Sequence, residues 1–218
     1  SLKFPTSITS IGASAFAGCS RLQELRAQWR EPFLINENTF NNVSSDCYLY
    51  IPIMCASKYL NAGWNLPNLK EAGILIVSAK GEGQILYNEN IVRSQSKEFL
   101  FSPYKSFYIT FAPDEGYAIR KIKLNGEDVL DMVDEGKVFI EEPEEDFAVE
   151  IVFADPEIED GDVNSDYAVN TTDAISIMSY ILKHAPSNFY DYLADVNDDG
   201  VINVTDVLLV VSYFLKTK

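Results

Sequence analysis

Residues 162–183 read DVNSDYAVNTTDAISIMSYILK, and residues 195–216 read DVNDDGVINVTDVLLVVSYFLK. At an offset of 33 the two stretches agree at eleven of twenty-two positions. A short unit repeated with its charged residues in register implies a shared chemical task as well as a shared fold. Acidic or amide oxygens recur at positions 1, 3, 5, 9 and 12 of each copy. In the first these are Asp162, Asn164, Asp166, Asn170 and Asp173; in the second they are Asp195, Asn197, Asp199, Asn203 and Asp206. Side-chain oxygens at 1, 3, 5 and 12, with a backbone carbonyl at 7, wrap a calcium ion in roughly seven ligands. The carbonyls at position 7 belong to Ala168 and Val201. Three carboxylates against a doubly charged ion bring each site near neutrality. Without the ion they repel one another, so metal binding is expected to be coupled to folding. Magnesium fits poorly, because it demands six tight ligands and keeps its waters.

Each loop runs into a periodic apolar segment: Ile175, Met178, Ile181 and Leu182 after the first, Leu208, Val211, Phe214 and Leu215 after the second. That spacing predicts an amphipathic helix behind each loop, and Asp173 and Asp206 fall where an acidic residue favours a helix start. The last ligand is Asp where an EF-hand loop has Glu, and PEIEDG, not a helix, precedes the first loop. Loop followed by helix, twice, over residues 161–216, resembles a type I dockerin, the small calcium module (an F-hand pair) that plugs into a cohesin receptor. The resemblance implies partner recognition by Thr171, Thr172, Met178, Ser179 and Lys183, with Val204, Thr205, Val211, Ser212 and Lys216 in the second copy. It also implies docking in either of two orientations. Position 6 is Gly200 in the second loop but Tyr167 in the first. That position normally needs the backbone freedom of glycine, so two calcium sites are expected, the first weak and the second sound. The competing reading is a calcium-folded C-terminal cap with no partner.

The chain has 218 residues, enough for one large domain or two to three small ones. Its apolar content of 47% suffices for packed cores. A net charge of −16 and a pI near 4.3 argue against nucleic acid and anionic membranes as partners. The acid is unevenly placed: residues 1–73 carry +1, residues 74–155 carry −9 and residues 156–218 carry −8. That step points to modular construction. No run reaches the roughly 18 apolar residues of a membrane span. No charged-then-apolar leader opens the chain; it begins at SLKFPTS, inside a repeat, which reads as a mature or trimmed fragment. Low-affinity calcium modules belong outside cells, so the expected location is extracellular or the bacterial cell surface. Cys19, Cys47 and Cys55 form an odd set without metal spacing and read as buried apolar residues.

Residues 1–73 also repeat. SITSIGASAFAGCSRLQEL aligns with EPFLINENTFNNVSSDCYL at an offset of 24, matching Ile11 to Ile35, Phe16 to Phe40 and Ser20 to Ser44. A period in the twenties is that of leucine-rich repeats, each adding a short strand to a solenoid. Leu22 and Leu25 would open one strand, Tyr48 and Tyr50 another. The pattern IGxxAFxGCxxL resembles the BspA-like subclass of surface proteins, and residues 48–73 resemble the segment that closes such arrays, with a short helix around Ala56–Asn61 and Trp64 in a cap. Two repeats cannot normally bury a stable core, so the array needs earlier repeats or support from its neighbour. The resemblance implies adhesion or ligand capture on an extended face, with Trp29 as the candidate contact residue.

From Ile74 the pattern switches to alternation. Phe107, Ile109 and Phe111 share one strand face; Ile122 and Leu124 alternate with Lys121 and Lys123, and Asn125-Gly126 supplies a tight turn. Seven or eight strands within residues 74–155 read as a β-sandwich of immunoglobulin-like size. ITFAPDEGYAIRKIKLNGEDV resembles the B-repeats of internalin-type proteins, which implies a spacer. EEPEED at 141–146 reads as a solvated hairpin tip, and ADPEIEDG at 154–161 as a linker.

The expected fold class is multi-domain α+β: the C-terminal end of a leucine-rich-repeat solenoid (1–73), an all-β immunoglobulin-like sandwich (74–155) and a small α calcium-loop domain (156–218). Nothing argues for an enzyme. His184, the single histidine, sits before Ala185-Pro186, and no nucleophile elbow, phosphate loop or zinc spacing occurs. The expected function is a monomeric secreted or surface protein that docks to a cohesin-like receptor through its calcium module while the repeats bind a ligand. The alternatives are an adhesin whose calcium pair is only a cap, and an accessory fragment of a larger extracellular polysaccharide-degrading enzyme.

Overall fold

Four short strands near the N-terminus pair parallel and in chain order: β1 (Leu2–Lys3), β2 (Glu24–Arg26), β3 (Tyr48–Ile51) and β4 (Asn68–Glu71). The structure is a computed structural model and describes residues 1–93 and 95–216. The register sets Leu2 beside Leu25, Leu25 beside Leu49 and Leu49 beside Leu69, so one apolar position per strand stacks across the sheet. Leu25 and Leu49 are fully buried. Helix α1 (Ala56–Asn61) lies between β3 and β4, where the sequence places it. Trp64 is the centre of the core beneath the sheet. Its ring lies 5.5 to 5.9 Å from those of Phe4, Trp29, Phe33, Phe40 and Tyr59, and its Nε1 donates to the Phe33 carbonyl at 3.0 Å. Trp29 is therefore not an outward contact residue: it is half-buried in this cluster, and its Nε1 donates to the Thr6 carbonyl. Cys47 and Cys55 are buried thiols as expected, whereas Cys19 is exposed.

Among the described residues, nine strands follow between residues 73 and 154. One sheet has the order β11 (Glu127–Asp128), β10 (Ala118–Leu124), β13 (Phe147–Ala154), β5 (Gly73–Gly81), β8 (Ser96–Phe101). A second has the order β12 (Lys137–Ile140), β9 (Phe107–Pro113), β6 (Gly83–Tyr87), β7 (Asn90–Val92). Alternation sorts the faces: Leu75, Val77 and Ala79 of β5, Ile122 of β10, and Val149, Ile151 and Phe153 of β13 are buried. Asn125 and Gly126 both take positive φ (51° and 86°), the two-residue turn whose twist suits a hairpin, and pair β10 with β11. The EEPEED segment is exposed but is no hairpin tip, since β12 and β13 belong to different sheets.

The chain divides into two compact units: residues 1–77, 97–109 and 137–149 form one, and 78–96, 110–136 and everything from Glu150 form the other. The second unit holds the repeated stretch. Helices α2 (Thr171–Ile181) and α3 (Val204–Lys216) pack on each other around Val163, Ala174, Ile177, Leu193, Val207 and Val210. The expected linker is folded here. Ile158 is buried, and the Arg120 guanidinium on β10 binds both the Asp160 carboxylate (2.9 Å) and the Ile158 carbonyl (2.5 Å). No described helix is long and apolar enough to cross a membrane.

Candidate metal centre

The two loops fold alike because each position-1 carboxylate gathers the amides ahead of it. Asp162 accepts from the amides of Asp166 (3.1 Å) and Tyr167 (2.7 Å); Asp195 accepts from Asp199 (3.1 Å) and Gly200 (2.9 Å). The position-5 carboxylates each accept from the position-7 amide, Asp166 from Ala168 and Asp199 from Val201. At position 6 the backbone must turn left-handed. Gly200 does so with φ 85°, and Tyr167 does so too, with φ 65°. A non-glycine residue there costs roughly 1–2 kcal/mol, and the Tyr167 hydroxyl, hydrogen-bonded to Asp155 at 2.9 Å, offsets part of it. Tyr167 thus keeps the loop geometry and takes the strain itself.

Positions 9 and 12 join loop to helix. Asn170 and Asn203 accept from the amides of Thr172 and Thr205 (both 2.8 Å), while Asp173 and Asp206 accept from the amides of Asn170 (3.0 Å) and Asn203 (2.9 Å). These reciprocal caps satisfy helix N–H groups otherwise left without partners. The asparagine side chains also donate to the position-7 carbonyls of Ala168 (2.8 Å) and Val201 (3.0 Å). Asn170 and Asn203 are thereby committed to the cap and the loop, not held out as free oxygens.

Among the described residues no three acidic, histidine or cysteine side chains are drawn together tightly enough to form a ready cage. The loop carboxylates accept from backbone amides. One atom escapes this. Asp173 is fully buried and its Oδ1 has no hydrogen-bond partner. Burial pushes its carboxyl above the ordinary range, Asp162 and Asp166 add to the upward push, and the backbone amides of Asn170 and Asn164 oppose it. A buried carboxylate oxygen without a partner, facing two further acids, is what a divalent cation would neutralise, so the residues fit calcium. Asp162, Asp166 and Asp173, with Asn164 and the Ala168 carbonyl, would hold it in the first loop. Asp195, Asp199, Asp206, Asn197 and the Val201 carbonyl would do so in the second.

The helices bury a stripe one residue away from the expected one. Ala174 and Ile177 on α2, and Val207 and Val210 on α3, are buried, while Met178, Ile181, Val211 and Phe214 pack around them. Ile175, Leu182, Leu208 and Leu215 point outward, each more than 60% exposed. These four are the same two positions in each copy. Of the residues expected to recognise a partner, Thr171, Thr172, Lys183, Val204, Thr205 and Lys216 are exposed, and Met178, Ser179, Val211 and Ser212 are half-buried.

Nothing in the spacing of the second loop announces what lies beside it. Asp198, at position 4, accepts from both Lys121 and Lys123 of β10, each at 2.7 Å, and Lys80 of β5 pairs with Asp191 at 2.8 Å. Lys123 is held above its ordinary range, first by the hydrogen bond to Asp198, with Asp195 and Glu150 adding. The alternating lysines of the β10 pattern were the visible signal; what they face was not.

Residues 160–215 match the Dockerin type I domain. No curated protein and no solved structure matches the chain. A dockerin type I domain therefore occupies the C-terminal part. Domains of this family bind calcium and dock to cohesin partners in extracellular assemblies.

Proposed function

We propose that the chain is a non-enzymatic extracellular or cell-surface protein that docks to a cohesin-type receptor through two calcium-filled loops and the helices behind them. The observation that carries this reading is the outward apolar set Ile175, Leu182, Leu208 and Leu215, repeated at equivalent positions of both copies. Large aliphatic side chains exposed in register on paired helices are what a partner surface requires. A structural cap has no use for them. The repeat of the set supports docking by either copy. Residues 1–73 we take as the closing part of a BspA-like leucine-rich-repeat array, supported by its in-register parallel strands and buried leucine stack, with residues 74–155 as a β-sandwich module between. In this reading the repeats supply the adhesive face, and His184, exposed at the end of α2, has no catalytic task.

Capture of the full chain on an immobilised cohesin panel tests the reading. Binding is expected in millimolar calcium, lost in chelator, and abolished by Ile175→Ser with Leu208→Ser while calcium binding persists. Changing Lys183 and Lys216 together should weaken it. Indifference to all four substitutions would leave the calcium pair as a cap and the protein as an adhesin through its repeats.

A further inference from the structure

The two loops share their hydrogen bonds at positions 1, 5 and 9 and differ at position 12, where Asp206 Oδ1 accepts from the Val196 and Asn197 amides and Asp173 Oδ1 stays unpartnered, which already favours a cation in the first loop. Their surroundings differ in charge. The first loop is bordered by Asp155, Glu157 and Glu159, with the hydroxyls of Tyr167 and Tyr213 bound to Asp155 and Glu159. The nearby guanidinium, Arg120, is engaged by Asp160 and the Ile158 carbonyl. The second loop instead faces the outward side of β5 and β10 across a cleft of about 200 Å³, lined by Lys80, Lys121, Lys123, Asp195 and Asp198 among others. Asp195 is the position-1 ligand, so the lysines share the cleft with the cation site itself.

We propose that Lys121 and Lys123 are built-in counter-ions of the second loop, which make it the weaker calcium site, so that the first loop fills at lower calcium. The assignment rests on calcium filling both loops, as proposed above, and it reverses the order suggested by Tyr167. Tyr167 adopts the required backbone and leaves the first loop intact. Three acids then favour a dication there, whereas at the second loop the lysine pair cancels the acids around it. The lysines also pin position 4, between two ligand positions, to a β-strand. Loop two is thus tied to the strand by residues some 75 positions earlier in the chain, and those residues set its filling. A unit charge beyond the ligand shell, screened at physiological ionic strength, changes dication affinity by roughly two-fold to three-fold, and two give about five-fold.

Each loop carries its own reporter, because the position-6 amides of Tyr167 and Gly200 donate to the position-1 carboxylates. Calcium titration of the full chain, followed at these two amides by nuclear magnetic resonance, tests the proposal. The Tyr167 amide should reach its midpoint at lower calcium than Gly200, with the gap narrowing in high salt. Lys121→Met with Lys123→Met should lower the Gly200 midpoint about five-fold and leave Tyr167 in place. The single variants, which disturb packing less, should each shift it about two-fold in the same direction. Coincident midpoints in the parent chain, or a Gly200 midpoint indifferent to the lysines, overturn the proposal while sparing the calcium reading. No calcium response at either amide overturns both.

Discussion

Replacing Asp173 by asparagine separates a metal ligand from a mere helix cap, because the two roles predict opposite signs in different buffers. The side chain is fully buried, with Oδ2 accepting from the Asn170 amide and Oδ1 unpartnered. Asparagine is isosteric and keeps an oxygen for the Asn170 amide, so the cap survives. What it removes is a buried charge beside Asp162 and Asp166. Leaving a buried polar atom unsatisfied costs about 1–3 kcal/mol, and the amide recovers only the charged part of that, about 1 kcal/mol in the metal-free chain. For a chain of this size that raises the melting midpoint by roughly 2–4 °C. In calcium the sign reverses. A site filled at about one hundred times its dissociation constant adds about 2.7 kcal/mol, and the variant forfeits most of it. Acidity gives a further check. Since the folded carboxyl is raised, its contribution is favourable below the ordinary carboxylate range and lost as pH rises through the raised value. In chelator the advantage of Asp173→Asn should therefore shrink on acidification. Melting of the full chain, followed in chelator and in millimolar calcium, measures all three. Equal destabilisation in both buffers refutes the ligand role and leaves Asp173 as a cap.

Further substitutions probe the remaining links. Tyr167→Gly relieves left-handed strain but loses the bond to Asp155; these nearly cancel, so stability should move by less than about 1 kcal/mol and calorimetry should find the first site's affinity little changed. Asp195→Ala and Asp162→Ala should each remove one calcium per chain, read by equilibrium dialysis, because each deletes the carboxylate that gathers its own loop's amides. Trp64→Ala empties the centre of an aromatic cluster that includes Phe4, Phe33 and Tyr59 and should cost about 3–5 kcal/mol in denaturant unfolding.

The calcium loops were legible because their chemistry is local. Five oxygens in twelve residues, followed by a helix, can be read from spacing, and the hydrogen bonds of both loops follow that spacing. The faces of the helices were half legible. The 3.6-residue period is clear in α2 and α3, yet both are so apolar that periodicity fits two overlapping stripes, and the one containing Ile175 and Leu208 faces outward. Tyr167 can hold the left-handed turn because glycine preference is a statement about cost, and a cost can be borne when a tyrosine hydroxyl finds Asp155. Trp29 misled because an aromatic in an irregular stretch has no periodic mark of burial, and its ring is held by Phe4 and Trp64, distant in sequence. The lysines of β10 read as the wet face of a strand. Strand alternation says which residues share a side, and only the tertiary fold brings Asp198 to that side.

Duplication gives two loops one chemistry, and the rest of the fold then makes them unequal. Copying preserved what lies within the twenty-two-residue unit, including the cap asparagines and the outward aliphatic pairs. It did not duplicate the neighbours: one loop lies beside the acidic segment that precedes it, the other beside two lysines of a β-strand. A symmetric docking face can therefore sit on an asymmetric pair of calcium sites. Cohesin binding that needed both ions would follow the weaker site, and its calcium midpoint would track the Gly200 amide. Binding that needed one would track Tyr167. The Lys121→Met, Lys123→Met chain distinguishes them, since it shifts the Gly200 midpoint and leaves the Tyr167 midpoint where it is.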